Sequence, residues 1–104
     1  MGVAARAKVL RSKNAGPFVI TLDVIFGTQS DFDNVRSKIG TAGLAEAYAI
    51  PAEDVVGIDF VPELKAMKAS FKRRLPCGHP GDPDCYGMNQ EQPLARLLDR
   101  LVDG

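Results

Sequence analysis

Tryptophan is absent, histidine occurs once, cysteine twice, and neither sign of charge is in excess over the 104 residues. Each shortage removes a class of function. Thirteen Lys and Arg balance thirteen Asp and Glu, so the electrostatic footprint of a general nucleic-acid binder is missing. Cys77 and Cys85 are too few for the disulfide framework of a small secreted domain, and two thiols in a cytoplasm stay reduced. With His79 as the sole histidine there is no Ser-His-Asp set, and no paired-acid motif replaces it. Self-sufficient acid–base catalysis is therefore poorly supplied, with Lys, Asp and Tyr left to serve. No apolar run approaches the ~20 residues that span a bilayer. Met1–Arg6 is too polar for a secretory signal, and Arg6 stands where an N-myristoylation signal wants Ser or Thr. The expectation is a cytoplasmic protein that engages neither membrane nor nucleic acid.

What remains is an ordinary apolar fraction with a quarter of the residues charged, a balance that excludes disorder. The length suits one domain, residues 1–104. After an ambiguous opening at 7–11, Asn14-Ala15-Gly16-Pro17 predicts a turn. Residues 18–26 predict a strand, with Ile20, Leu22, Val24 and Phe26 on one face and Thr21 and Asp23 on the other. Asp23 reads as solvated or paired. A helix follows, with Ser30 as its cap and Phe32, Val35 and Ile39 on its apolar stripe. Gly40 and Thr41 break and restart it, and Leu44, Ala47 and Tyr48 form a second stripe that Pro51 ends. Residues 55–61 predict a second strand, with Val56, Ile58 and Phe60 alternating against Val55, Gly57 and Asp59. Residues 63–73 conflict: Leu64, Met67 and Phe71 have helical spacing, although a strand is also compatible. Six prolines and glycines break 75–92, and Leu94, Leu97, Leu98 and Leu101 form the apolar stripe of a last helix that needs a sheet or a partner to cover it. The order of elements points to an α+β two-layer sandwich, with helices packed on one face of a small, mainly antiparallel sheet. If 63–73 is a strand, a ferredoxin-like arrangement fits.

Three segments carry chemistry-bearing residues. In the turn at 11–17, Arg11, Ser12, Lys13, Asn14 and the backbone at Gly16 have the donors to grip a carboxylate or phosphate; a solvated turn is the plainer reading. The P-loop pattern of glycines followed by Lys-Ser/Thr is missing. In the loop at 77–87, Cys77, His79 and Cys85 are zinc-competent, with Asp82 or Asp84 able to complete a set, but the spacing matches no common zinc pattern. The alternative is a rigid loop in which Asp82 and Asp84 bind backbone N–H groups and Tyr86 packs down. Lys65, Lys68, Lys72, Arg73 and Arg74 form a basic stretch that reads as a solvated face.

Arg11-Ser12-Lys13-Asn14-Ala15-Gly16-Pro17-Phe18, the strand at 21–26, and later Pro80-Gly81-Asp82-x-Asp84-x-Tyr86-Gly87 with Gln90 and Pro93-Leu94 resemble the domain of unknown function 4387 family of small bacterial proteins. The likeness covers nearly the whole chain. Two departures stand out: Cys77-Gly78-His79-Pro80 replaces a run nearer Ser-Gly-Ser-Pro, and Asn89-Gln90-Glu91 replaces Gln-Gln-His. The resemblance implies a strand at 63–73. It also implies an AtuA-like large subunit as partner, because family members are often encoded beside such proteins. With that partner the chain would form a two-component hydratase or dehydratase acting on a hydroxy or unsaturated carboxylic acid or its CoA thioester.

Together these readings give a working expectation. The two polar loops converge at the edge of the sheet and complete an anion site shared with the large subunit. Lys13 and Arg11 neutralise the substrate, and Ser12, Asn14, Gly16, Gly81 and Gln90 bind it. Asp82, Asp84 and Tyr86 shape the site or move protons. Neither metal nor other cofactor is expected, and a homo-oligomer stays open. The alternatives are an interaction module that docks through the leucine stripe, and a free-standing lyase or isomerase.

Overall fold

Alternation of apolar and polar residues builds the central strand, and the remaining elements are placed against it. The computed structural model describes residues 2–15, 18–72 and 91–103. After a short helix α1 (Val3–Arg6) come β1 (Val9–Asn14) and β2 (Val19–Ile25), then helices α2 (Gln29–Lys38) and α3 (Thr41–Ala47). Strands β3 (Val55–Val61) and β4 (Ala66–Lys72) follow, and α4 (Glu91–Asp103) is the last element described. The sheet order is β1-β2-β4-β3, with every neighbouring pair antiparallel.

β2 and β3 therefore run in the same direction with β4 between them, and α2 and α3 make the crossover. This is the split βαβ unit of ferredoxin-like sheets. In the usual ferredoxin-like order the strand flanking that unit on the β2 side comes last in the chain. Here the N-terminal β1 takes that place, so the layout is ferredoxin-like with a permuted connection. All helices contribute to one layer: Val3, Phe32, Val35, Leu44, Leu94, Leu97 and Leu98 share a single buried cluster with Ile20, Leu22, Val24, Met67, Ala69 and Phe71 of the strands. The expected two-layer α+β sandwich is the fold.

The conflict at 63–73 resolves as strand. Pro62–Leu64 makes one 3-10 turn, and Lys65 adopts a left-handed conformation (φ 52°) that reverses the chain. Its carbonyl accepts from the Phe26 N–H at 2.8 Å, which ties the reversal to the end of β2. β4 then inserts between β2 and β3, where both edges of its backbone are bonded, and Met67, Ala69 and Phe71 enter the core. Leu64, the first residue of the apparent helical stripe, is left 60% exposed. In β3 the register shifts between Val55 and Gly57, so Val55 joins Ile58 and Phe60 on the core side and Val56 is the extra, exposed residue. A β-bulge of this kind reverses the alternation that the sequence shows.

The cap of α2 is Thr28 rather than Ser30: its hydroxyl accepts from the Asp31 N–H at 3.1 Å. Asp31 itself is buried and takes a bidentate grip from Arg6, with Nε and Nη2 each 3.0 Å from a carboxylate oxygen. The hydrogen bonds from Arg6 hold the Asp31 carboxyl below its usual range, against the opposing effect of burial; the Arg6 charge and the Thr28 contact act in the same direction as the hydrogen bonds. The pair fastens α1 to the start of α2. Asp99 of α4 closes the same corner by accepting from the Ala4 N–H at 3.0 Å.

Candidate functional site

Because side chains alternate across a pleated strand, the face of the sheet away from the helices carries its own set. Among the described residues no helix packs on it, but it is open unevenly: Val61 and Leu64 are 38% and 60% exposed, whereas Thr21 is 2% exposed. Register places three transverse rows on this face. The first is apolar: Val9, Ile25, Ala66 and Val61. The second alternates in charge: Arg11, Asp23, Lys68 and Asp59. The third holds Lys13, Thr21, Ser70 and Gly57. At the apolar end, Leu64 joins the first row to form an open cleft of about 360 Å³, with Arg11, Asp23 and Lys68 along its polar side.

Asp23 is the organising group. Its Oδ2 accepts from Arg11 Nε at 3.3 Å, and Lys13 Nζ stands 3.8 Å from the same oxygen. The Asp23 side chain is 21% exposed, whereas Arg11 and Lys13 are 62% and 52% exposed. Ion pairs this open are screened and contribute little stability. They do pre-orient two cations that remain accessible to an incoming anion. Beside them the Thr21 and Ser70 hydroxyls lie 3.4 Å apart.

β1 brings Arg11 and Lys13 together and sends Ser12 and Asn14 to the other face. Ser12 is buried against the helix layer, and both it and Asn14 are engaged by neighbours. The four polar residues of this segment therefore form two sets rather than one cluster. The backbone closes the turn with an Ala15 N–H to Val19 carbonyl bond of 2.9 Å. Gly16 of the turn lies outside the described residues, as do Gly81, Asp82, Asp84, Tyr86 and Gln90 and the zinc-competent Cys77, His79 and Cys85. The covalent path to that segment is placed: β4 ends at Lys72, paired with Val19, at the end of the sheet where β1 turns into β2.

From sequence Asp23 reads as solvated or paired; it is paired, and its partners come from strand register. From sequence Lys68 reads only as part of a solvated basic stretch, and Ser70 and the charge row are not legible, because 63–73 has a helical period as well as a strand period. The leucine stripe of α4 is not a free docking surface, since Leu94, Leu97 and Leu98 are buried in the chain's own core. Among the described residues no group of three or more His, Cys, Asp or Glu gathers, and no helix is long and apolar enough to cross a membrane.

The fold and this face define a small α+β sandwich with a charge-patterned sheet surface that no helix among the described residues covers. The chain belongs to the family described as domain of unknown function (DUF4387), whose model matches residues 3–98. No curated protein and no solved structure matches it.

Proposed function

We propose that the chain is the small subunit of a two-component enzyme with an AtuA-like large subunit, and that it supplies an anion-binding half-site rather than a complete active site. The reaction assigned is a lyase step in the bacterial cytoplasm: hydration or dehydration of a hydroxy or unsaturated carboxylic acid or its CoA thioester. One observation carries this reading. Arg11 and Lys13 stand accessible and pre-oriented by Asp23, toward the end of the sheet from which the chain departs to Gly81, Asp82, Asp84, Tyr86 and Gln90.

A carboxylate loses hydration when it binds, and charge-assisted bonds from Arg and Lys replace the lost water. Dehydration of a hydroxy acid then requires a base to take the carbon-bound proton and an acid to help the hydroxyl leave as water. The described face offers cations, with its central carboxylate already committed to Arg11. Proton transfer falls in this reading to Asp82, Asp84 or Tyr86 and to groups of the large subunit. Ser12 and Asn14 act by holding β1 rather than by touching substrate.

The test is purification of the tagged chain from its native host, followed by assay of what accompanies it. An AtuA-like protein recovered in stoichiometric amount, with turnover by the pair, is the expected result. Lys13→Ala in that complex should abolish turnover without changing the melting temperature, since the side chain is half exposed. Recovery of the chain alone, or full turnover by the variant complex, refutes the assignment.

A further inference from the structure

We infer that the sheet face opposite the helices is a homodimer interface, closed by a second copy of this chain about a twofold axis running along the strands between β2 and β4. The inference rests on other observations than the function proposed above, and it touches that site at one residue: in the dimer Arg11 turns to Asp59 of the second copy, and Lys13 is the cation left open to an anion.

The support is the charge row. Read across the sheet from β1 to β3, Arg11, Asp23, Lys68 and Asp59 alternate plus, minus, plus, minus. When two identical faces meet, the twofold axis lies in the plane between them. An axis across the strands along this row would set Arg11 on Arg11 and Asp23 on Asp23. An axis along the strands instead lays every row on itself reversed. The reversed charge row reads minus, plus, minus, plus, so each charge meets its opposite: Arg11 faces Asp59 of the second copy, and Asp23 faces Lys68 of the second copy.

The other rows obey the same operation. Val9 meets Val61 and Ile25 meets Ala66, apolar on apolar; in the third row Lys13 meets Gly57, and Thr21, 2% exposed, stays within its own chain. Leu64, 60% exposed at the β3–β4 turn, falls over Val9 and Ile25 of the other copy and occupies the cleft there. Packed sheets usually cross at about 30°, which offsets the outer strands by about one residue, a distance that Arg and Asp side chains can span. A row of one sign would require a different partner. An alternating row of even length needs only another copy of itself.

The size of the face sets the strength. Four strands at about 4.8 Å by seven residues at about 3.3 Å give a footprint of roughly 450 Å² per copy. That is below the roughly 800 Å² per partner of a standard interface, so association in the micromolar range is expected, weakening with salt. Because the axis follows the strands, both β1–β2 turns open at the same end of the dimer, with Lys13 at its rim.

The experiment is sedimentation equilibrium of the full chain from micromolar to millimolar concentration, with circular dichroism as the control for folding. The wild-type chain should dimerise. Asp59→Lys and Arg11→Asp, both at exposed positions, each place like charges opposite one another twice and should weaken the dimer about tenfold or more. Mixed in equal amounts, the two variants should form a heterodimer, because plus-minus-plus-plus reversed complements minus-minus-plus-minus. Leu64→Glu, at a turn outside the core, should also give a monomer. A wild-type monomer throughout the range overturns the inference, as does a dimer indifferent to these substitutions or a mixture that stays monomeric.

Discussion

Replacing Asp31 with Asn keeps the size of the side chain and removes its charge, and the structure sets how much stability should go with it. Asp31 is 7% exposed at its side chain and receives two 3.0 Å hydrogen bonds from Arg6, whose own side chain keeps 33% of its surface in water. Stranding a fully buried partner costs about 3–5 kcal/mol. Here Arg6 can be partly rehydrated, and the amide oxygen of Asn can still accept one bond, so about 2 kcal/mol is the expected loss. On a domain of this length that lowers the melting temperature by roughly 8–16 °C. The assay is urea unfolding followed by circular dichroism from pH 7 to pH 2.

The sign of the pH dependence follows from the lowered carboxyl of Asp31. The folded state resists protonating it, so the unfolded chain binds the proton first. This contribution is complete above the unfolded pKa of about 3.9 and is lost as pH falls from there through the folded value. The gap between wild type and Asp31→Asn should stay level from pH 7 to about pH 4.5 and close below about 3.9. A cycle with Arg6→Met should show coupling on the order of 1–2 kcal/mol. Equal stability of the two proteins at pH 7, or a gap that stays constant to pH 2, would show that the ion pair does not fasten this corner.

Two further changes probe the packing. A Cβ at Gly27 would lie 2.4 Å from the Arg6 carbonyl oxygen, a backbone atom with no side-chain route of escape. Gly27→Ala should therefore cost about 1–3 kcal/mol, and chemical denaturation showing no loss would mean that the α1–β2 corner is looser than it stands. Leu98→Ala should cost about 2–5 kcal/mol, because the side chain is fully buried in the common core; a cost below 1 kcal/mol would return the leucine stripe to the surface as a docking site.

Legibility in the sequence followed from how many neighbours each element needed. β2 could be read directly, since Ile20, Leu22, Val24 and Phe26 repeat every second residue and no competing period crosses them. All four are buried as that reading requires. The break between α2 and α3 was visible at Gly40 and Thr41 for a similarly local reason. The cap was misplaced by two residues, because Thr28 and Ser30 are equally able to cap and only the path of the chain out of β2 chooses between them. For β4 the local signals divided: Leu64, Met67 and Phe71 fit a helix, while Met67, Ala69 and Phe71 fit a strand.

The amino-acid sequence by itself determined the fold class, the central strand and the core faces of α2 and α4. These depend on periodicity and on local turn chemistry, which a single segment carries within itself. In it Arg11 to Asn14 read as part of a polar turn, where the structure has strand β1. The tertiary structure alone decided that 66–72 is a strand, that Val56 is expelled by a bulge, and that β1 occupies the edge a last strand usually fills. It alone aligned Arg11, Asp23, Lys68 and Asp59 in one row. Hydrogen-bond pairing between segments far apart in the chain sets those outcomes, and a strand's preference for one partner and register is a property of the pair.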